Sequence, residues 1–297
     1  MHDNYAAVLS MCFICGVPIM ATGECVCRGD PHCFAFDANR FNQQHDLHTS
    51  NVCAYVMATD RCGGKGTYAI SALLELVKDI SSVKSFVGGI GVHYSNPRKD
   101  GEQQIMMMPG PQIFFGAEMF TEFPKRIDDH LFEMVPAVFV HPKDFSKGVT
   151  EVMSYTLPNG VNIQYDGIKG VKINNDALAP GTPRCGLCGN DDGVYDDQDF
   201  LMGNNVNGIK CKGLPADGAA LTVTTNKQHF VNSWFLHTTT HACNEICSPT
   251  TPFIRTLSFC HLPTSVLEFM TLIDNIFIND PTQDAQEAFT FNDSGNI

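Results

Sequence analysis

Apolar and polar positions alternate in short runs along most of this chain, the period-two signature of strands half buried in a sheet. Residues 41–59 and 66–77 alternate loosely, and residues 84–93 and 103–108 continue the style. Gly88-Gly89, Asn96-Pro97, Pro109-Gly110-Pro111 and Pro158-Asn159-Gly160 punctuate these runs with turn residues. Residues 135–140 form a brief apolar run of buried-strand type. The clearest pairing signal is residues 149–157, an Asn159-Gly160 turn and residues 161–165, which together predict a hairpin. Strand–helix alternation of the parallel kind is missing, as is any internal repeat. Many short strands at close spacing predict a mainly β fold, an antiparallel sandwich or barrel. One helix is expected late, where Ser265-x-x-Glu268 has capping-box spacing and Val266, Met270, Ile273 and Phe277 share a stripe.

Charge and cysteine content narrow the setting. The chain has 297 residues, enough for one large domain or two smaller ones. Its net charge of −13 argues against nucleic acid, which requires a basic face. Thirteen cysteines, clustered towards the two ends with none between Cys62 and Cys185, read as disulfide stapling and an oxidising compartment. Zinc is the competing reading for Cys12-x-x-Cys15 and Cys185-x-x-Cys188. The odd number of cysteines leaves at least one free or paired between chains. Residues 6–22 are apolar and uncharged but shorter than the about 20 residues of a helical span. With Ala21-Thr22-Gly23 behind them they read as a signal peptide over residues 1–23, against the alternative that they continue a preceding domain. No membrane span is expected. Residues 203–218 read as an exposed loop, and the polar tail beyond Pro281 carries one glycosylation sequon, Asn292-Asp293-Ser294.

The richest chemistry lies in residues 185–200, where Cys185 and Cys188 run into Asn190, Asp191, Asp192, Asp196, Asp197 and Asp199. So many carboxylates cannot be core, because each buried charge needs a partner, and Gly186, Gly189 and Gly193 preclude a helix. A solvated acidic loop is one reading. A calcium loop is the sharper one, since Ca²⁺ takes six to eight oxygens from carboxylates, amides and backbone carbonyls. Asn190 and Asp192 stand two apart, Gly193 supplies a turn, the Val194 carbonyl can follow, and Asp196, Asp197 and Asp199 can close the shell.

Five separated motifs then occur in order: Cys27-x-Gly29-Asp30-Pro31-His32-x-x-x-Phe36-Asp37, Cys53-x-Tyr55-Val56-Met57-Ala58, Leu157-Pro158-Asn159-Gly160-Val161-x-Ile163-x-Tyr165-Asp166-Gly167, Cys185-Gly-Leu-Cys-Gly-Asn190 and Asn232-Ser233-Trp234. Together they resemble the von Willebrand factor type D domain over residues 24–243. The resemblance implies a two-sheet β-sandwich, secretion, disulfide bonding and a structural calcium site. Its calcium ligands carry over to Asp37, Asn190, Asp192, the Val194 carbonyl and two of Asp196, Asp197 and Asp199. Two disulfides carry over, Cys27–Cys185 and Cys53–Cys243, leaving Cys62 and Cys188 unassigned. Residues 244–297 look like a partial eight-cysteine segment, partly helical, with a disordered tail.

The function this predicts is a secreted, calcium-binding structural or adhesive module that binds extracellular proteins or multimerises with itself. It is not expected to be an enzyme: Gly-x-Ser-x-Gly and His-Glu-x-x-His are both missing from the sequence. Thiol–disulfide exchange through Cys185-x-x-Cys188 is a second reading, although adjacent carboxylates would raise a thiol pKa. A third feature is Asp30-Pro31-His32, which resembles a motif at which some mucins and guidance molecules cleave themselves. There the Asp30 carboxyl would attack its own carbonyl carbon, the Pro31 nitrogen would leave, and His32 would influence proton transfer. Arg28-Gly29-Asp30 is also a cell-adhesion tripeptide on paper.

Overall fold

The computed structural model describes residues 23–29, 31–39, 42–49, 53–76, 85–96, 101–138, 148–179, 181–203, 218 and 220–235. Among these residues, fourteen strands form two antiparallel sheets. The chain first lays down β1 (Glu24–Arg28), β2 (His32–Phe34) and β3 (Leu47–His48). It then builds the second sheet as a meander of β4 (Cys53–Thr59), β5 (Tyr68–Leu76), β6 (Ser85–Ser95), β7 (Glu102–Met108), β8 (Gln112–Phe115) and β9 (Glu118–Phe120). It returns to the first sheet with β10 (Lys125–Ile127), β11 (His130–Pro136), β12 (Glu151–Thr156), β13 (Asn162–Tyr165) and β14 (Gly170–Asn174). The eight-stranded sheet runs β10-β11-β12-β13-β14-β1-β2-β3, so β14 closes onto β1 across most of the chain. A short helix, α1 (Lys227–Ser233), is capped by the Asn226 side chain, which accepts from the Gln228 and His229 amides. Among the described residues no helix is long and apolar enough to cross a membrane.

One apolar core joins the sheets. The alternation of β11 and β13 turns Phe132, Ile163 and Tyr165 inward. Phe132 stacks on Tyr155 of its own sheet and meets Phe115 and Phe120 of the other edge-on. Tyr165 donates its hydroxyl to the Val87 carbonyl across the interface, at 3.1 Å. Bulges shape the second sheet: the β5–β6 register skips Gly88, and the β4–β5 register skips Met57.

The predicted hairpin is present, with Met153 opposite Tyr165 and Thr156 opposite Asn162, but its turn differs. Leu157 donates to Val161 O and Gly160 to Leu157 O, and of Pro158, Asn159 and Gly160 only the glycine has positive φ. Pro158 holds its own φ negative, so Pro158-Asn159 forms the turn centre and Gly160 takes the left-handed position after it. Of the apolar run at 135–140, Val135 and Pro136 end β11, Ala137 is buried and Val138 is 75% exposed, while residues 139–140 lie outside the described residues. The expected helix at 265–277, the signal-peptide stretch before Gly23 and the tail lie outside the described residues.

Among the described residues there are three disulfides, and they replace the expected Cys27–Cys185 pairing. Cys27 bonds Cys33 rather than Cys185, because the β1–β2 register sets those two cysteines directly opposite each other. Cys25, on the same face of β1 two residues earlier, bonds Cys188. Cys185 bonds Cys62, since a bridge between Thr59 and Cys185 brings it to the end of β4. These bonds also overturn the zinc reading of Cys185-x-x-Cys188. Cys243 lies outside the described residues, and with it the expected Cys53–Cys243 pairing.

Candidate metal centre

The acidic loop is positioned from its cysteine end. Residues 185–188 run along the open side of β4: Cys185 and Thr59 exchange backbone hydrogen bonds, Leu187 donates to Val56 O and Cys188 to Met57 O. Val56 in turn donates to Trp234 O, so this edge strand is covered rather than left as a template for other chains. Gly186 is required at its place, because φ is +120° and a Cβ would stand 2.4 Å from Met57 O. Phe36 donates to Cys188 O, which delivers Asp37 from beyond β2 to the start of the loop.

Four of the expected ligands come together there. Asp37 accepts from the Gly193 amide at Oδ1 (2.9 Å) and from the Asp192 amide at Oδ2 (3.0 Å). Asp192 accepts from the Val194 amide and from the Asn190 side chain. Asp199 is 2% exposed and accepts from the Asn190 and Asp196 amides, one on each oxygen. Gly189, at φ +77°, lies so close to Asp199 Oδ1 that a Cβ would reach within 2.4 Å of it. The other expected ligands are placed differently. Asp196 caps a 3-10 helix over Asp197–Phe200, accepting from the Gln198 amide, and Asp197 is exposed in its first turn. Val194 contributes its amide to Asp192, and its side chain is exposed.

Sequence reasoning did not find the supports. Arg184 donates to the carboxylate and carbonyl of Asp191, a residue at φ +57°, and pins the loop from below. Tyr195 stacks on His45, ring centroids 3.8 Å apart, and meets Phe200 edge-on, which does the same to Phe230 of α1. The Tyr195–His45 and Phe200–Phe230 contacts have no local sequence signal, because each joins two separate segments.

Electrostatics mark the loop as short of positive charge. Burial pushes Asp199 up to about 7, its amide donors counteract, and the charges of Asp37 and Asp192 add to the rise. Burial also raises Asp37, opposed by the Gly193 and Asp192 amides and reinforced by the Asp192 carboxylate. Asp191 is pushed to about 6 by burial against the pull of Arg184. The donors of Asp37, Asn190, Asp192 and Asp199 are all oxygens, which suits a hard cation such as calcium. Among the described residues, no group of three or more His, Cys, Asp or Glu side chains is arranged to hold a metal as it stands. The carboxylates instead grip loop amides.

Elsewhere, the Cys185 and Cys188 sulfurs are both buried in separate disulfides, so neither is an accessible thiolate. Asp30 lies outside the described residues; Pro31 accepts from the Thr49 amide, and His32 Nδ1 is 2.6 Å from Asp46 Oδ2. No family model and no curated protein matches the chain.

Proposed function

We propose that this chain is a secreted, disulfide-stabilised module whose acidic loop binds one calcium ion and whose role is to bind other extracellular proteins, in the manner of a von Willebrand factor type D domain. The observation that carries the reading is Asp199, a buried carboxylate in the electrostatic reach of Asp37 and Asp192. Such a cluster stays ionised most readily around a divalent cation. Asp37, Asn190, Asp192 and Asp199 would hold the ion, which would supply the neutralising charge. Three disulfides support an oxidising compartment. They also occupy six cysteines within the chain, so a disulfide to a second copy would draw on the remaining ones.

Calcium contributes modestly to global stability. A Kd near 10⁻³ M in calcium of the same concentration adds about 0.4 kcal/mol, and a Kd near 10⁻⁴ M adds about 1.4 kcal/mol. Its role is to order the loop. Isothermal titration of the purified chain is expected to show one site that Asp192→Ala abolishes. No binding at several millimolar calcium overturns the reading.

A further inference from the structure

A second cluster of metal-binding side chains lies on the β2–β3 edge of the eight-stranded sheet. Cys33 and Leu47 oppose each other there and face the core, so His32 and His48, also directly opposite, share the solvent face. Their ring centroids are 4.9 Å apart. With metal–nitrogen bonds of about 2.0–2.1 Å, two imidazoles on one ion have centroids roughly 5.2 Å apart at a tetrahedral angle and roughly 4.5 Å at a right angle. The observed separation falls between these values.

The structure also orients one ring. Asp46 Oδ2 is 2.6 Å from His32 Nδ1, and a carboxylate can only accept, so Nδ1 carries the proton and Nε2 keeps the lone pair. A carboxylate behind a ligating histidine is the usual device for fixing its tautomer and raising its basicity. The other oxygen, Asp46 Oδ1, is buried with no hydrogen-bond partner among the described residues, which leaves negative potential behind the ring. Two cations act against binding. Arg28 stands opposite His32 on its other side, exposed to solvent, and Lys227 donates to the Gln44 and Asp46 carbonyls.

We propose that His32 and His48 form a two-imidazole site for a borderline divalent cation of the zinc class, with Asp46 as the positioning residue for His32 and water completing the shell. The site is independent of the calcium loop and takes a different class of metal. The test is zinc titration against a chromophoric chelator, on the full chain with free thiols alkylated. One zinc equivalent is expected, lost in both His32→Ala and His48→Ala, weakened by about 10- to 100-fold in Asp46→Asn, and retained in Asp192→Ala. Thermal melts without zinc check that each variant folds, and should an alanine variant fail to fold, His32→Gln or His48→Gln takes its place. A second reading needs no variant: substoichiometric Cu²⁺ should broaden the ring protons of both histidines together. Zinc binding that survives loss of either histidine, copper broadening confined to one ring, or no zinc binding by the parent chain overturns the proposal.

Discussion

Replacing Cys62 and Cys185 together with alanine opens the disulfide that ties the acidic loop's start to β4. Taken alone, that bond closes a loop of 123 residues, worth about 5 kcal/mol in the chain-entropy model. It is not alone. Cys25–Cys188 already brings its ends together, with a sequence separation of 163. With that bond and Cys27–Cys33 in place, the shortest covalent path from Cys62 to Cys185 runs back to Cys33, crosses to Cys27, continues to Cys25 and returns through Cys188, a ring of roughly 35 residues worth about 4 kcal/mol. The comparison is Cys27–Cys33, whose separation of 6 corresponds to about 2 kcal/mol. Guanidinium unfolding followed by Trp234 provides the assay, since the chain has one tryptophan and that residue is fully buried. The Cys62/Cys185 double variant should lose about 4 kcal/mol, a fall of about 8–16 °C in Tm for a domain of this size. The Cys27/Cys33 double variant should lose about half as much. A reversed ranking, or equal losses, refutes the view that these bonds act by restricting the unfolded chain.

The other expectations rest on single residues. Gly186→Ala forces a Cβ against Met57 O at a φ that alanine resists, so it should cost about 3 kcal/mol or more in the same assay; a neutral substitution would mean that residues 185–188 are not held against β4. His93 is fully buried and pushed down to about 3, by burial first and by Arg61 second, despite Glu102 at 3.2 Å. Its folded pKa is below the unfolded value of about 6.5, so stability is present above that pH and is lost as pH falls from about 6.5 towards 3, by up to about 5 kcal/mol. Urea melts between pH 7 and 4 should show this slope, and His93→Phe should flatten it; an unchanged slope in the variant assigns the acid sensitivity to other groups.

Much of the fold was legible because alternation is a local property. Residues 66–77 and 103–108 read as strands and overlap β5 and β7, and the hairpin of β12 and β13 follows from alternation on both sides of a turn sequence. What could not be read depends on register. Cys25 and Cys27 point to the same face of β1 whatever their partners, so the sequence cannot separate them; the β1–β2 pairing does, by setting Cys33 opposite Cys27. The Asn159-Gly160 pair likewise suggested a two-residue turn, and Pro158 moved the turn back by one residue. The helix α1 was missed for a different reason. Its seven residues are mostly polar, and its start is set by the Asn226 cap rather than by an apolar stripe.

The acidic loop divides in the same way. Its chemistry was visible in composition, and the arrival of Asp37, so distant in the chain, came only through resemblance. The division of labour among its aspartates was not visible, although a signal was present. Asp196 and Asp199 stand three apart, the spacing of a capping box, and the structure uses them as one: Asp196 caps the 3-10 helix while Asp199 accepts from the Asp196 amide. That reciprocity turns Asp199 inward to 2% exposure and leaves Asp197 in solvent. Among the three carboxylates that spacing left interchangeable, capping geometry therefore selects Asp199 as the one that shares the loop's interior with Asp37 and Asp192. Calcium titration of Asp199→Asn and Asp197→Asn should separate them, with affinity lost in the first and kept in the second. Equal loss in both would mean that the 3-10 helix unwinds when the ion binds.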